Sequence, residues 1–318
     1  MSLVAGTSLH FNDLPPYLQS LLQLNKMTPF FNLAGQKNGV RIIGDKVFDM
    51  AQVWSIDDGE QLGLTEQESI DGVANTRVTR AVEQNGIQLF EHKPQISLLR
   101  ESITGGASAP RTAGEAVVGD NQVEPAAFQI EAHLQKVQKD MDYSSLLGTL
   151  NLPVASTGAG EKFTMGGIIP AISTNAIDGA AAALSKGLID SMLVAMSTAG
   201  APFTDVHFVV NLATKIALSE IYGLADRDSM TFGGVKVDQI ITDAGIFPVL
   251  VDLNVPTGTI LVADMAYCKP VILPVKGQAL LVEPKVTAGA SSEWLIYAQG
   301  SFDYGNEQVH AKLTNFTI

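Results

Sequence analysis

The longest regular pattern of apolar and polar positions lies near the middle of the chain and predicts one long helix. Ile130, Leu134, Val137 and Met141 recur at the spacing of a single helix face, and charged or amide side chains fill the positions between them. The predicted helix covers residues 124–148 and would extend roughly 35 Å. It is the strongest helical signal in the sequence.

The first hundred residues contain a second pattern, which predicts a projecting β-hairpin. Residues 47–56, 73–83 and 87–90 are rich in β-forming side chains, and Asn85-Gly86 is a dipeptide favoured in tight hairpin turns. Apolar positions are too sparse here to form a separate core, and a two-stranded hairpin alone is only marginally stable in water. The hairpin therefore needs a neighbour to pack against.

The segment before this hairpin has the pattern of an arm. Leucines at positions 14, 18, 21 and 22 mark one face of a short helix, and a loop is expected at residues 35–39. One short helix without other structure cannot build a core. We therefore expect residues 1–40 to lie on another surface.

The second half of the chain alternates helices with strands. Helices are predicted at residues 178–197 and 212–222, the second with Ile216 and Ile221 facing inward. Strands separated by glycine and proline are predicted at 207–210, 235–242, 247–253, 259–265, 271–275 and 279–284, with two more on either side of Gly300-Ser301. The predicted fold class is α+β, with a loop rich in glycine and alanine at residues 104–121.

Composition indicates that the chain hides apolar surface against partners. Of its 318 residues, 46% are hydrophobic and only 17% are charged, whereas about a quarter is usual in soluble chains. The length fits two domains or one elaborate domain. Protruding elements combined with this apolar content indicate obligate self-assembly.

The net charge argues against two classes of partner. Twenty Lys and Arg stand against 33 Asp and Glu, which gives −13 at neutral pH. Non-specific nucleic-acid binding and binding to an anionic membrane both need clustered basic side chains, and the sequence has no such cluster. We also expect no signal peptide and no membrane span. Cys268, the single cysteine, is expected to be a small buried residue.

Motifs for metal or phosphate chemistry are absent or incomplete. The histidines are widely spaced and none begins an HExxH motif; they are His10, His92, His133, His207 and His310. Residues 158–164 and 226–230 match a phosphate loop and a calcium loop only in part. We therefore predict no metal site and no cofactor.

Two carboxylate pairs are the acid–base candidates. Asp57 and Asp58 are adjacent in a predicted turn, and Asp140 and Asp142 are two residues apart on the long helix. Side chains at these spacings do not converge on one substrate, so both pairs are expected to be solvated. The sequence predicts no catalytic residue and no enzymatic activity. An enzyme whose site is assembled between subunits is the alternative.

Six segments between about residue 130 and residue 318 carry a resemblance to a known family. They are Lys136-Val-Gln-Lys-Asp-Met-Asp142, Met165-Gly-Gly-Ile-Ile169, Phe203-Thr-Asp-Val-His-Phe-Val-Val-Asn211, Thr242-Asp-Ala-Gly-Ile-Phe-Pro-Val249, Val255-Pro to Leu261-Val-Ala-Asp264, and Asn306-Glu-Gln-Val-His-Ala-Lys-Leu313. The first three are similar to the spine-helix end, the Gly-Gly crossover and the strand-then-helix unit of tailed-bacteriophage major capsid proteins. The fourth and fifth together are similar to the paired strands of that family, and the sixth is similar to its closing peripheral strand. The chain thus resembles proteins with the Hong Kong 97-type capsid fold.

The resemblance implies a division of the chain. It places an N-terminal arm at residues 1–40 and an extended β-hairpin loop at 41–105. The peripheral domain, with the spine helix, would comprise 106–165 and 269–318, and the axial domain 166–268.

The resemblance also implies partners and a location. Hexamers and pentamers of the chain would tile an icosahedral shell around double-stranded DNA that they enclose without specific binding. A portal, a cement protein and a separate scaffolding protein, or no scaffold, would accompany them, in a virion assembled in host cytoplasm. An encapsulin-like nanocompartment shell is the alternative within the same fold.

Overall fold

The computed structural model describes the chain in eight stretches, which are residues 29–56, 63–71, 78–98, 125–152, 162–222, 230–232, 235–287 and 289–318. The predicted helix near residues 14–22, the loop at 104–121, Asp57-Asp58 and His10 lie outside the described residues, as do most of the partial phosphate loop and nearly all of the partial calcium loop.

Helices and strands alternate along the described chain. The helices are α1 (Pro29–Asn38), α2 (Glu66–Asp71), α3 (Pro125–Leu147), α4 (Ile168–Ala171), α5 (Lys186–Thr198) and α6 (Leu212–Tyr222). The strands are β1 (Arg41–Ile42), β2 (Val47–Ile56), β3 (Val78–Gly86), β4 (Gln88–His92), β5 (Gln95–Ser97), β6 (Ala176–Asp178), β7 (Val206–Val210), β8 (Met230–Phe232), β9 (Val235–Thr242), β10 (Gly245–Val251), β11 (Thr259–Asp264), β12 (Lys269–Ile272), β13 (Leu280–Lys285), β14 (Ser291–Asp303) and β15 (Ala311–Thr314).

One mixed sheet, called here the first sheet, is organised by the 13-residue strand β14. β12, β13, β4 and β5 pair with it in antiparallel register, and β1 adds a parallel pair on β12. Helices α1 and α3 pack on this sheet. Their shared core includes Phe30, Val137, Met141, Ile296 and Phe302, all buried.

The second sheet has seven strands in the order β6-β15-β11-β7-β10-β9-β8. β7 lies parallel to β10 and antiparallel to β11, and all of its residues are buried. Because side chains alternate along a strand, Val209 and Leu261 join the core of the first sheet, whereas Phe208 and Val262 pack in a separate core with α5 and α6. The second sheet therefore separates two hydrophobic cores.

The long central helix is confirmed. α3 spans 23 residues, close to the predicted bounds. Val137 and Met141 are buried, and Ile130 and Leu134 pack against the same core. The helical period read from the sequence therefore identified both the helix and its buried face.

The predicted turn at Asn85-Gly86 was wrong. β3 runs through both residues and pairs with β2, and after Ile87 the chain continues as β4 into the first sheet. Asn85 is fully buried, so it packs inside the protein instead of forming an exposed turn. Residues 88–97 belong to the first sheet and are not part of a projecting hairpin.

The prediction for the arm is corrected over residues 29–38. A loop was expected at 35–39, but α1 extends to Asn38. Phe30, Phe31 and Leu33 are buried in the chain's own core, and the Phe30 ring lies 5.2 Å from the Phe302 ring between centroids. This segment therefore packs on its own subunit. Residues 1–28 lie outside the described part of the chain.

Two helices differ from prediction in detail. α5 starts at Lys186 because Ala180 and Ala181 adopt positive φ angles of 50° and 57°, which a right-handed helix does not contain. α6 has the predicted bounds, but Ile216 is 55% exposed and Leu218 is buried in its place.

The C-terminal strands also differ from prediction. β14 continues through Gly300-Ser301, where a break was expected. β15 pairs with β11 and β6 of the second sheet. It therefore belongs to the second sheet, whereas the strands of residues 269–303 lie in the first sheet. The division of the chain into domains stays a prediction.

Candidate assembly surfaces

β2 and β3 form an antiparallel ribbon, called here the hairpin ribbon, and no third strand joins it among the described residues. Val78 and Val82 lie on one face of β3 and are 58% and 40% exposed. The register shifts between Asp49 and Gln52, which indicates a β-bulge that bends and twists the ribbon. The ribbon thus presents apolar side chains and open backbone edges to another surface.

Asn85 fixes the base of the ribbon. Its Oδ1 accepts the amide N–H of Gly166 at 2.8 Å. Its Nδ2 donates to the carbonyl oxygens of Gly166 at 3.1 Å and Phe302 at 2.8 Å. The Ser301 hydroxyl donates to the carbonyl of Gly86 at 2.7 Å. The exposed part of the ribbon therefore projects from a rigid, buried root.

The Gly-Gly crossover touches the end of α3 through backbone atoms. The Gly167 amide donates to the carbonyl of Gly148 at 2.7 Å, and the Gly148 amide donates to that of Ser144 at 2.8 Å. A Cβ on Gly167 would lie 2.5 Å from the Gly148 nitrogen and 2.7 Å from the Leu146 carbonyl carbon. The crossover needs glycine here because no side chain fits.

A buried acid pair, Asp142 and Asp252, corrects the prediction that Asp142 is solvated. Both side chains are fully buried. The amide of Phe31 donates to Asp142 Oδ1 at 3.0 Å, and that of Phe30 donates to Asp252 Oδ2 at 3.3 Å. Asn254 adds its side-chain amide to Asp142 at 2.6 Å and its backbone amide to Asp252 at 2.9 Å.

Burial dominates the acid–base properties of this pair. Burial, and after it the facing Asp252 carboxyl, raises the pKa of Asp142 well above its ordinary value. Burial likewise raises the pKa of Asp252. Two carboxylates buried side by side repel each other, so the pair favours holding a proton.

The remaining sequence candidates within the described stretches make local contacts. Asp140 Oδ2 lies 2.9 Å from His92 Nε2, and the His92 and His133 rings are 5.9 Å apart between centroids. Cys268 is buried, as predicted, and burial raises the pKa of its thiol. Over the described stretches, no group of three or more His, Cys, Asp or Glu could hold a metal ion. Nor is any described helix long and apolar enough to span a membrane.

A buried polar network joins β11 to the residues before β15. The Asp264 carboxylate accepts the amides of Thr204 at 2.9 Å and Asp205 at 3.0 Å. The Asp264 amide donates to His310 Nδ1 at 3.1 Å, and His310 Nε2 lies 2.6 Å from the carbonyl of Tyr304. Since Nδ1 accepts a hydrogen bond, the ring proton lies on Nε2 and His310 is neutral.

His310 should make subunit stability depend on pH. Burial lowers the pKa of His310 to about 4, while the unfolded chain keeps the ordinary value near 6.5. As pH falls from about 6.5 to about 4, the unfolded state takes up the extra proton, so the folded state loses about 3 kcal/mol. Urea unfolding of unassembled subunits at several pH values measures this loss. His310→Gln should show a shallower slope, and equal slopes would contradict the assignment.

The sequence as a whole matches one family. Residues 4–317 match the sequence model of the SU10 major capsid protein. The chain belongs to the SU10 major capsid protein family. Its role is therefore structural: this capsid protein assembles with copies of itself into a shell and is a component of the virion capsid. No curated protein matches the sequence.

Solved structures similar to this capsid protein confirm the predicted Hong Kong 97-type fold. The cyanophage A-1(L) capsid protein has a TM-score of 0.60 at 12% identity, covering 93% of this chain and 94% of that one. The SrpI encapsulin of Synechococcus elongatus PCC 7942 has a TM-score of 0.57 at 10% identity, and the match covers 99% of this chain and 92% of the encapsulin. The capsid protein of the native GTA particle has a TM-score of 0.53 at 14% identity, and the match covers 100% of this chain and 94% of that one. At these identities the likeness concerns the fold.

Proposed function

We propose that this capsid protein forms hexamers and pentamers that tile an icosahedral head shell around the double-stranded DNA of a tailed phage. The hairpin ribbon is the observation that supports this most directly. A two-stranded ribbon is marginal in water by itself, and this one exposes Val78 and Val82 on one face. Lying across a neighbouring subunit would cover that face and give each subunit a contact that a closed shell repeats many times.

The two sheets support a division into two structural units. We assign the first sheet with α1 and α3 to the peripheral domain, and the second sheet with α5 and α6 to the axial domain. The Gly166-Gly167 crossover connects them. Because a buried root holds the ribbon on the peripheral unit, movement of the ribbon would follow movement of that unit.

A nanocompartment shell is the second candidate, since the SrpI encapsulin shares the fold with a TM-score of 0.57. The family match to a major capsid protein favours the phage shell. Mass spectrometry of particles purified from the native source would separate the two, because packaged DNA supports the first and a stoichiometric cargo enzyme supports the second.

The chain is proposed to have no catalytic activity of its own. A separate scaffolding protein, a portal and a cement protein are proposed partners, and assembly is placed in host cytoplasm. These partners and this location are consequences of the shell proposal.

The acidic composition supports a shell that does not bind its DNA. With a net charge of −13, an inner surface rich in carboxylates would repel phosphate and leave the packaged DNA mobile. Emptied shells mixed with linear DNA at low salt are expected to show no co-sedimentation. Tight binding that weakens as salt is raised would contradict this.

Negative-stain electron microscopy of the purified chain, with analytical sedimentation, tests the proposal. Closed shells, or rings of five and six subunits, are expected as concentration and ionic strength are varied. A monodisperse monomer or dimer under all of these conditions would overturn it.

A further inference from the structure

The acid pair lies where three elements meet. α1 contributes its first amides at Phe30 and Phe31, α3 contributes Asp142 near its end, and the turn after β10 contributes Asp252 and Asn254. The start of α1 is thus capped by carboxyl groups that are distant in sequence. Residues 1–28 join the chain at this point.

The charge of the pair matters to α1. The N-terminus of a helix carries a partial positive charge, which one nearby negative charge stabilises. Two negative charges buried side by side repel each other, and a fully protonated pair loses the favourable charge. With a single shared proton the pair therefore holds the helix start most strongly.

No other charged side chain balances the pair from α1. Lys37 is the charged residue of that helix, and it lies at the opposite end, paired with Asp205 and near His207 Nε2 at 3.2 Å. Asn38 there donates to the carbonyl of Cys268 at 2.8 Å. The far end of α1 thus has its own attachments, and the start depends on the acid pair and on aromatic packing.

The same face of α3 carries a second buried polar group. Gln138 lies one turn before Asp142, is almost fully buried, and neither polar atom of its side chain has a hydrogen-bond partner among the described residues. A buried polar group without a hydrogen-bond partner destabilises the folded state. The buried surface of α3 near Asp142 therefore contains polar atoms whose hydrogen bonds are not all made within the described residues.

We propose that Asp142 and Asp252 form a proton-dependent latch, which holds the start of α1 in the core while the pair keeps its shared proton and releases it when both carboxyls ionise. Release would free the start of α1 from the subunit core. The inference goes beyond the proposed function, since it concerns one subunit and not the shell.

The direction of the pH effect follows from proton counting. The docked pair retains a proton that the released carboxyls, at their ordinary pKa near 4, do not. Between that value and the raised pKa of the docked pair, release should increase by about tenfold for each unit of rising pH. Below about pH 4 the released carboxyls also take up protons, so release no longer increases with rising pH.

Hydrogen exchange on unassembled subunits, read by mass spectrometry, tests the latch. Protection of a peptide covering α1 is measured from about pH 5 to about pH 8 and corrected for intrinsic exchange. We expect protection to fall at least tenfold over this range. A peptide covering α5, which does not touch the pair, provides the internal reference.

Asp142→Asn is the decisive variant, because its amide can donate to Asp252 without a titratable proton. Its α1 protection should be independent of pH, whereas Asp140→Asn, on the same helix but outside the pair, should behave like wild type. Asp252→Asn offers a second test if the first variant folds poorly. Equal pH slopes in wild type and both latch variants, or no slope in wild type, would overturn the latch whether or not shells form.

Discussion

Gly167→Ala is expected to prevent the chain from reaching a stable folded subunit. The added Cβ would fall 2.5 Å from the backbone nitrogen of Gly148 and 2.7 Å from backbone atoms of Leu146 and Leu147. Backbone atoms cannot turn away as a flexible side chain can, so the end of α3 and the crossover must separate. The expected loss is about 3 kcal/mol or more, a large share of a typical total stability.

Soluble yield and thermal unfolding of the purified subunit measure this loss. Gly44→Ala is the matched control, because a Cβ added there would have no atom within 4 Å and its φ is not in the left-handed region. Gly148→Ala should reproduce the damage, since its Cβ would meet the Met165 carbonyl oxygen at 2.5 Å. A Gly167→Ala subunit with wild-type melting behaviour would show that the crossover can shift.

Replacing both exposed ribbon valines by aspartate, as Val78→Asp with Val82→Asp, should abolish shell formation while leaving the subunit folded. Both side chains are exposed in the subunit, so the folded chain loses little. If the ribbon lies on a neighbour, each aspartate must be buried against apolar surface at a cost of several kcal/mol. Because a shell repeats the contact for every subunit, even a modest loss per contact removes the closed particle.

Sedimentation and electron microscopy check this result against circular dichroism of the same sample. Val78→Ile with Val82→Ile keeps the face apolar at the same positions and should still form shells. Normal shells from the aspartate variant would show that the hairpin ribbon is not part of the assembly contact, although the chain would still be a capsid protein.

The elements predicted correctly are those in which local pattern and tertiary packing agree. α3 combines a regular apolar period with good helix formers, and Val137 and Met141 are buried as expected. β7 is a short apolar run at the centre of a sheet, and both of its faces are covered. Cys268 is a small apolar residue just before β12, and it is buried in the core of the first sheet.

The errors arise where a distant partner decides the conformation. Asn85-Gly86 is a strong turn signal, yet Gly166 and Phe302 provide the hydrogen bonds that bury Asn85 within a continuing strand. Ala180 and Ala181 have high helix propensity, but the pairing of β6 with β15 holds the preceding residues extended. Propensity was overridden by tertiary structure in both cases.

Asp142 did leave a signal in the sequence. Leu134, Gln138 and Asp142 recur every four residues, which places two polar side chains on the same stripe as an apolar residue of the buried face. A polar residue on the buried face of a helix indicates either that it lies at the edge of that face or that a buried partner binds its side chain. The partner, Asp252, is distant along the chain, and its identity cannot be read from spacing.

The order in which the strands are joined has a consequence for biosynthesis. The second sheet needs β15, which pairs between β11 and β6, and the first sheet needs β14 as its central strand. Neither sheet can close until β14 and β15, which follow their partner strands along the chain, have left the ribosome. Such non-local pairing slows folding. Because this capsid protein assembles with copies of itself, late closure of the sheets has a second effect. Nascent chains on the same messenger RNA do not yet expose completed assembly surfaces to each other.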